Sequence, residues 1–112
     1  FGDILTDLGA AIAGGMGLAA GANLNPEREF PSMFEPIHGS APDIAGQGKA
    51  NPLATVWSAS QMLDFFGYRQ WGEKLIDIIE EILKEKKVLT PDLDGTATTS
   101  QVGDEVISKL RQ

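Results

Sequence analysis

The chain has no cysteine and one histidine, and its nine lysines and arginines are outnumbered by sixteen aspartates and glutamates. Without cysteine, disulfides and thiolate metal sites are excluded and the cytoplasm is the default compartment. The formal charge of −7 argues against a nucleic-acid partner, because phosphate backbones are held by Lys and Arg. Apolar runs fall well short of the ~20 residues a bilayer requires, and no charged-then-apolar stretch opens the sequence, so a soluble protein with no membrane partner is expected. At 112 residues there is material for one small core. The sequence starts at Phe1, inside a helical pattern and without a cap, which leads us to expect a fragment, a processed product or an engineered piece.

What the chain does contain is helical periodicity broken by glycine and proline. Over 1–13, Ile4, Leu5, Leu8, Ala11 and Ile12 recur at helical spacing and run into the cluster "GGMG". Short apolar pieces between Gly21, Asn25-Pro26 and Pro31 predict one or two short strands. "GQGKANP" is expected to be flexible. Asn51-Pro52 predicts a helix start, since Asn accepts an orphan amide and Pro at the first position loses nothing by lacking its own. That helix should end near Gly67. A third, over 71–86, places Leu75, Ile78, Ile79, Ile82 and Leu83 on one stripe, with Glu80, Lys84, Glu81 and Glu85 on the wet side. A fourth opens with Thr98 and Gln101 at capping-box spacing and turns Val102, Val106 and Leu110 inward. Four helices and a few short strands define an α/β chain.

Four places could carry chemistry. Gly15-Met16-Gly17-Leu18-Ala19-Ala20 satisfies the dinucleotide fingerprint G-x-G-x-x-G/A, but a helix precedes it and turn-prone "GANLNP" follows, so it reads as a helix exit. Asp3 and Asp7 share one helix face, where like charges destabilise by roughly 0.2–0.5 kcal/mol unless a cation lies between them. Mg²⁺ or Mn²⁺ would suit that pair; a dipole-facing Asp3 and a solvated Asp7 is the alternative. In "FEPIHGSAPDIAG", His38 precedes Gly39, Ser40 and Ala41, whose small side chains and free amides let a ligand approach closely. His38 alone could equally be a satisfied structural histidine. Asp43 offers an acceptor pair suited to a ribose diol and repels a 2′-phosphate, favouring NAD over NADP. Glu35 is either a ligand-facing acid or a turn residue. Asp92, after Pro91 in "TPDLDGTATT", lies in a turn-favouring connection.

"FGDILTDLGAAIAGGMGLAAGANLNPE" followed by "FEPIHGSAPDIAGQGKANPLATVWSASQMLDF" resembles the C-terminal part of the metal-dependent β-decarboxylating dehydrogenases, the isocitrate/isopropylmalate dehydrogenase family. "NLNPEREFPSMFEP" and "TPDLDGTATTSQV" are most similar to the tartrate and D-malate branch, with 3-isopropylmalate behind as substrate. The resemblance implies that Asp3 and Asp7 bind the metal. It implies that His38, Gly39, Ser40, Ala41, Asp43, Ile44 and Asn51 hold the adenosine half of NAD, with Glu35 near the nicotinamide ribose and Asp92 near the adenine. It divides a single partial domain, 1–112, into a metal-site helix, 1–16, and a nucleotide-clamp region, 17–112. The proton-transfer lysine and tyrosine and the substrate-binding arginines match no position here, and Tyr68 and the lysines read as solvent-facing. Lys49 stands where the family carries an apolar residue, which should weaken packing under the loop, and Asp94 stands where glycine is common.

The expected parent is thus an NAD- and Mg²⁺- or Mn²⁺-dependent dehydrogenase of a small 2-hydroxy acid, a homo-oligomer, with the 112-residue chain inactive by itself. The alternative is a non-catalytic or engineered self-associating fragment of such an enzyme.

Overall fold

The computed structural model describes residues 20–23, 32–36 and 40–112. Ala20–Asn23 (β1) and Met33–Pro36 (β2) pair antiparallel, from Ala20 opposite Pro36 to Asn23 opposite Met33. Along β2 the side chains alternate, Met33 and Glu35 exposed and Phe34 and Pro36 half-buried, as a two-residue period requires. Phe34 lies 5.8 Å, centroid to centroid, from Phe65, which fastens the hairpin to the first helix. So small a sheet is marginal without such support.

Helix α1, Leu53–Phe65, begins one residue beyond the start that Asn51-Pro52 predicts, with Pro52 at the cap position instead of first in the helix. The Asn51 Oδ1 accepts the Leu53 amide at 2.9 Å, and the Pro52 carbonyl accepts the Val56 amide at 3.1 Å. The helix stops before Gly67, whose φ of +90° turns the chain into α2, Arg69–Glu85. On α2, Leu75, Ile76, Ile78, Ile79 and Ile82 are buried, while Leu83 packs against the core from a half-buried position. Gly72 permits the close approach of the two helices: a Cβ there would lie 2.7 Å from the Ser60 carbonyl oxygen. Lys86 closes α2 in a left-handed conformation, φ +56°.

The connection to the last helix folds back on itself. Its 3₁₀ turn, Pro91–Leu93, is followed by Asp94 at φ +62°. The Ala97 amide donates to the Leu89 carbonyl at 2.8 Å and the Gly95 amide to the Thr90 carbonyl at 3.1 Å. Helix α3, Thr99–Leu110, carries the expected capping box, with the Gln101 amide donating to Thr98 Oγ1 and the Thr98 amide to Gln101 Oε1. Val102 and Val106 complete a core with Leu53, Trp57, Ile76, Ile79 and Ile82.

The described residues hold three α-helices where the sequence predicts four, because the helix expected over 1–13 lies outside them. The same is true of the glycine motif up to Ala19. Among the described residues no helix is long and apolar enough to cross a membrane. Two readings are corrected. Lys49 is exposed, so it does not pack under the loop. Lys109 is 6 % exposed and not solvent-facing, because its place one turn beyond Val106 carries it onto the buried side of α3.

Candidate nucleotide-binding loop

The loop between β2 and α1 is described from Ser40 onward, and it is a built turn. The Ile44 amide donates to the Ala41 carbonyl and the Gln47 amide to the Ile44 carbonyl, both at 3.1 Å. Gln47 Nε2 donates to the Asp43 carbonyl at 2.8 Å. Gly46 (φ +79°) and Gly48 (φ +70°) supply the left-handed steps that reverse the chain. Ala41 holds φ +43°, unusual for a residue with a Cβ and the kind of local strain found where a backbone is shaped for a ligand. This turn half-buries Ile44 and leaves Ser40, Ala41 and Asp43 exposed. Among the described residues no hydrogen bond or ion pair engages the Asp43 carboxylate.

The far arm of the loop is the reverse of flexible. Asn51, 8 % exposed, uses its carbonyl for the α1 start and its amide for Asp92, with Nδ2 donating to Oδ2 at 3.0 Å. Asp92 also accepts the Thr90 hydroxyl, and Thr90 is buried. The Thr99 amide donates to the Gly48 carbonyl at 2.8 Å and its hydroxyl to the Ala50 carbonyl at 2.5 Å. "GQGKANP" is therefore tied down, because Thr99 at the start of α3 holds the Gly48 and Ala50 carbonyls and Asp92 holds the Asn51 side chain.

Of the residues singled out in the sequence, Ser40, Ala41, Asp43 and Ile44 lie on one turn, and a hydrogen bond joins Asn51 to Asp92, far along the chain. Glu35 is neither a turn residue nor buried; it is an exposed position on β2. His38, Gly39, Asp3 and Asp7 lie outside the described residues. Among the described residues no three acids or histidines gather as a metal site. A shallow groove of about 560 Å³ between the 87–97 connection and α3 contains none of these candidates.

Sequence reasoning missed Thr90 and Thr99, whose partners are far along the chain, and it missed Lys109. The Lys109 ammonium reaches Glu81 at 2.8 Å, Glu85 at 3.0 Å and Glu105 at 3.7 Å. Hydrogen bonds to Glu81 and then Glu85 hold it charged well above the ordinary lysine range, outweighing the desolvation that opposes them.

The fold matches that of a known class. The chain belongs to the isocitrate/isopropylmalate dehydrogenase family, whose sequence profile matches residues 1–106. It is 50% identical over 112 residues to a probable tartrate dehydrogenase/decarboxylase of Bacillus subtilis (strain 168), covering all of this chain and 31% of that protein. To a 3-isopropylmalate dehydrogenase of Thermobifida fusca (strain YX) it is 52% identical, again over the whole chain and 30% of the relative. The crystal structure of isocitrate dehydrogenase from Methylococcus capsulatus superposes with a TM-score of 0.83 at 38% identity, covering 99% of this chain and 32% of that one. The chain spans about a third of the length of the relatives it matches.

Proposed function

We propose that this chain is the nucleotide- and metal-contributing part of an NAD-dependent, divalent-metal-dependent dehydrogenase that oxidises and decarboxylates a small 2-hydroxy acid. The observation that carries the reading is the exposed Asp43 carboxylate, without a partner among the described residues, on a hydrogen-bonded turn flanked by Ser40 and Ala41. Two carboxylate oxygens at that point accept the 2′- and 3′-hydroxyls of an adenosine ribose and repel a 2′-phosphate, so NAD is preferred to NADP. Small side chains at 40 and 41 leave room for the ribose, and Ile44 offers an apolar contact. Asn51 is assigned to the adenosine half and Asp92, its hydrogen-bond partner, to the neighbourhood of the adenine, with Glu35, His38 and Gly39 assigned to the same site. Asp3 and Asp7 are assigned to the Mg²⁺ or Mn²⁺, which when bound supplies Lewis-acid polarisation of the substrate oxygen. NAD when bound supplies the hydride acceptor.

In this reading residues 1–16 form the metal-site helix and 17–112 the nucleotide region of one partial domain. Tartrate or D-malate is the proposed substrate, on the strength of "NLNPEREFPSMFEP"; overall identity does not rank these above 3-isopropylmalate. A homo-oligomer in the cytoplasm completes the proposal, supported by the exposed Phe66, Tyr68 and Trp71 at the α1–α2 turn and by the cysteine-free composition.

The test is a calorimetric titration with NAD and with NADP, Mn²⁺ present, on the chain and on Asp43→Ala. NAD should bind more tightly than NADP, and the variant should lose about tenfold or more in NAD affinity, the worth of hydrogen bonds to a charged group. Equal affinity for the two nucleotides, or an indifferent variant, would overturn the assignment. No heat with either nucleotide would favour the non-catalytic, self-associating fragment.

A further inference from the structure

We infer that Thr99 is a positioning residue for the nucleotide loop, fixing the backbone of Gly48 and Ala50 against the start of α3 and so setting where the Asp43 turn stands. The inference rests on the nucleotide reading of that loop. Thr98, not Thr99, caps α3, since Thr98 Oγ1 accepts the Gln101 amide. Thr99 is the first helical residue, and its amide is one of the donors that a helix start leaves without an internal partner. Here that amide donates to the Gly48 carbonyl at 2.8 Å, and the hydroxyl, not needed for capping, donates to the Ala50 carbonyl at 2.5 Å.

The need for such an anchor comes from the loop. Gly46 and Gly48 both hold positive φ, and glycine's wide conformational range makes an untethered arm of this composition costly to order. Asn51 pins the arm from the other end through the Leu53 amide and Asp92. Three positions of this arm, 48, 50 and 51, are thus held by groups 41 to 51 residues away or by the α1 start, and among the described residues the Asp43 carbonyl is held only within the turn, by Gln47. Once Thr99 lets go, the two glycines are the hinge about which Asp43 departs from its place.

The experiment compares the chain with Thr99→Val, which keeps shape and loses the hydroxyl, and with Thr99→Ser, which keeps the hydroxyl. Amide hydrogen exchange is read at Ile44 and Gln47 without nucleotide, with thermal melting and NAD titration alongside. Thr99→Val should speed exchange at both amides about five-fold, the worth of one hydrogen bond, and weaken NAD by a similar factor; Thr99→Ser should restore both. The melting midpoint should stay near that of the parent, because the capping box is intact. Unchanged exchange at Ile44 and Gln47, or a rise spread evenly over all three helices with a fallen midpoint, overturns the inference. If the parent chain binds no NAD while the exchange responds as stated, Thr99 keeps its role in the loop and the nucleotide assignment falls.

Discussion

Lys109 puts an ammonium among three carboxylates, two on α2 and one on its own helix, at a position almost closed to water. Glu81 and Glu85, which the helical pattern of α2 places together on a face read as wet, would repel each other at that spacing; the lysine from α3 resolves the conflict. Its signal was present in the sequence, since 102, 106 and 109 share one helical face, but a charge at the third position reads as solvated unless its partners on another helix are known. The folded state raises the lysine's pKa above the ordinary 10.5. Its contribution to stability is therefore complete below that pH and declines as pH rises through the higher folded value. Lys109→Met, which retains the apolar stem, should lower the melting midpoint at neutral pH, and the gap to the parent should hold steady to about pH 10 and narrow above it. A gap independent of alkaline pH would show that the ammonium contributes nothing there.

Helices were the most legible elements. Asn51-Pro52, Gly67 and the Thr98/Gln101 pair each state a start or stop with a local mechanism, and the structure uses the last two as read, while Asn51 accepts the Leu53 amide with Pro52 shifted to the cap position. The α3 cap gives a direct measure of that local code. Thr98→Ala removes the acceptor for the Gln101 amide and should cost about 1 kcal/mol in urea unfolding, whereas Thr98→Ser should be close to neutral. A loss no larger than a few tenths in Thr98→Ala would mean that tertiary packing of Val102 and Val106 already fixes the helix start. The loop was legible only in part. Its turn chemistry follows from Pro42, Gly46 and Gly48, but what holds it does not, because the Thr99 hydroxyl and the Ala50 carbonyl are 49 residues apart. No periodicity carries a single side-chain bond over that distance. Asp94 shows the converse: a left-handed φ of +62° is the physical reason glycine suits that position, and it was visible only as a departure from a resemblance.

For the molecule as a whole, the proposed function turns on which parts of such a reaction this chain could supply. It holds a finished core and a hydrogen-bonded turn that presents Asp43, and it spans 31% of a relative named as a dehydrogenase/decarboxylase. Oxidation of a 2-hydroxy acid requires a base for the hydroxyl proton, and decarboxylation requires a proton returned to the enolate carbon. Among the described residues the one buried lysine is committed to Glu81, Glu85 and Glu105, and a charged ammonium so held accepts no proton. Tyr68 is exposed at the α1–α2 turn, where nothing excludes water from a reacting centre. Binding and turnover should then separate. With NAD, Mn²⁺ and either tartrate or D-malate, the 112-residue chain is expected to give no NADH above a protein-free blank by fluorescence, in the same preparation whose calorimetry shows NAD bound. NADH formed in proportion to chain concentration and abolished by Asp43→Ala would place a proton-transfer group within these 112 residues and sink the division of labour proposed for them.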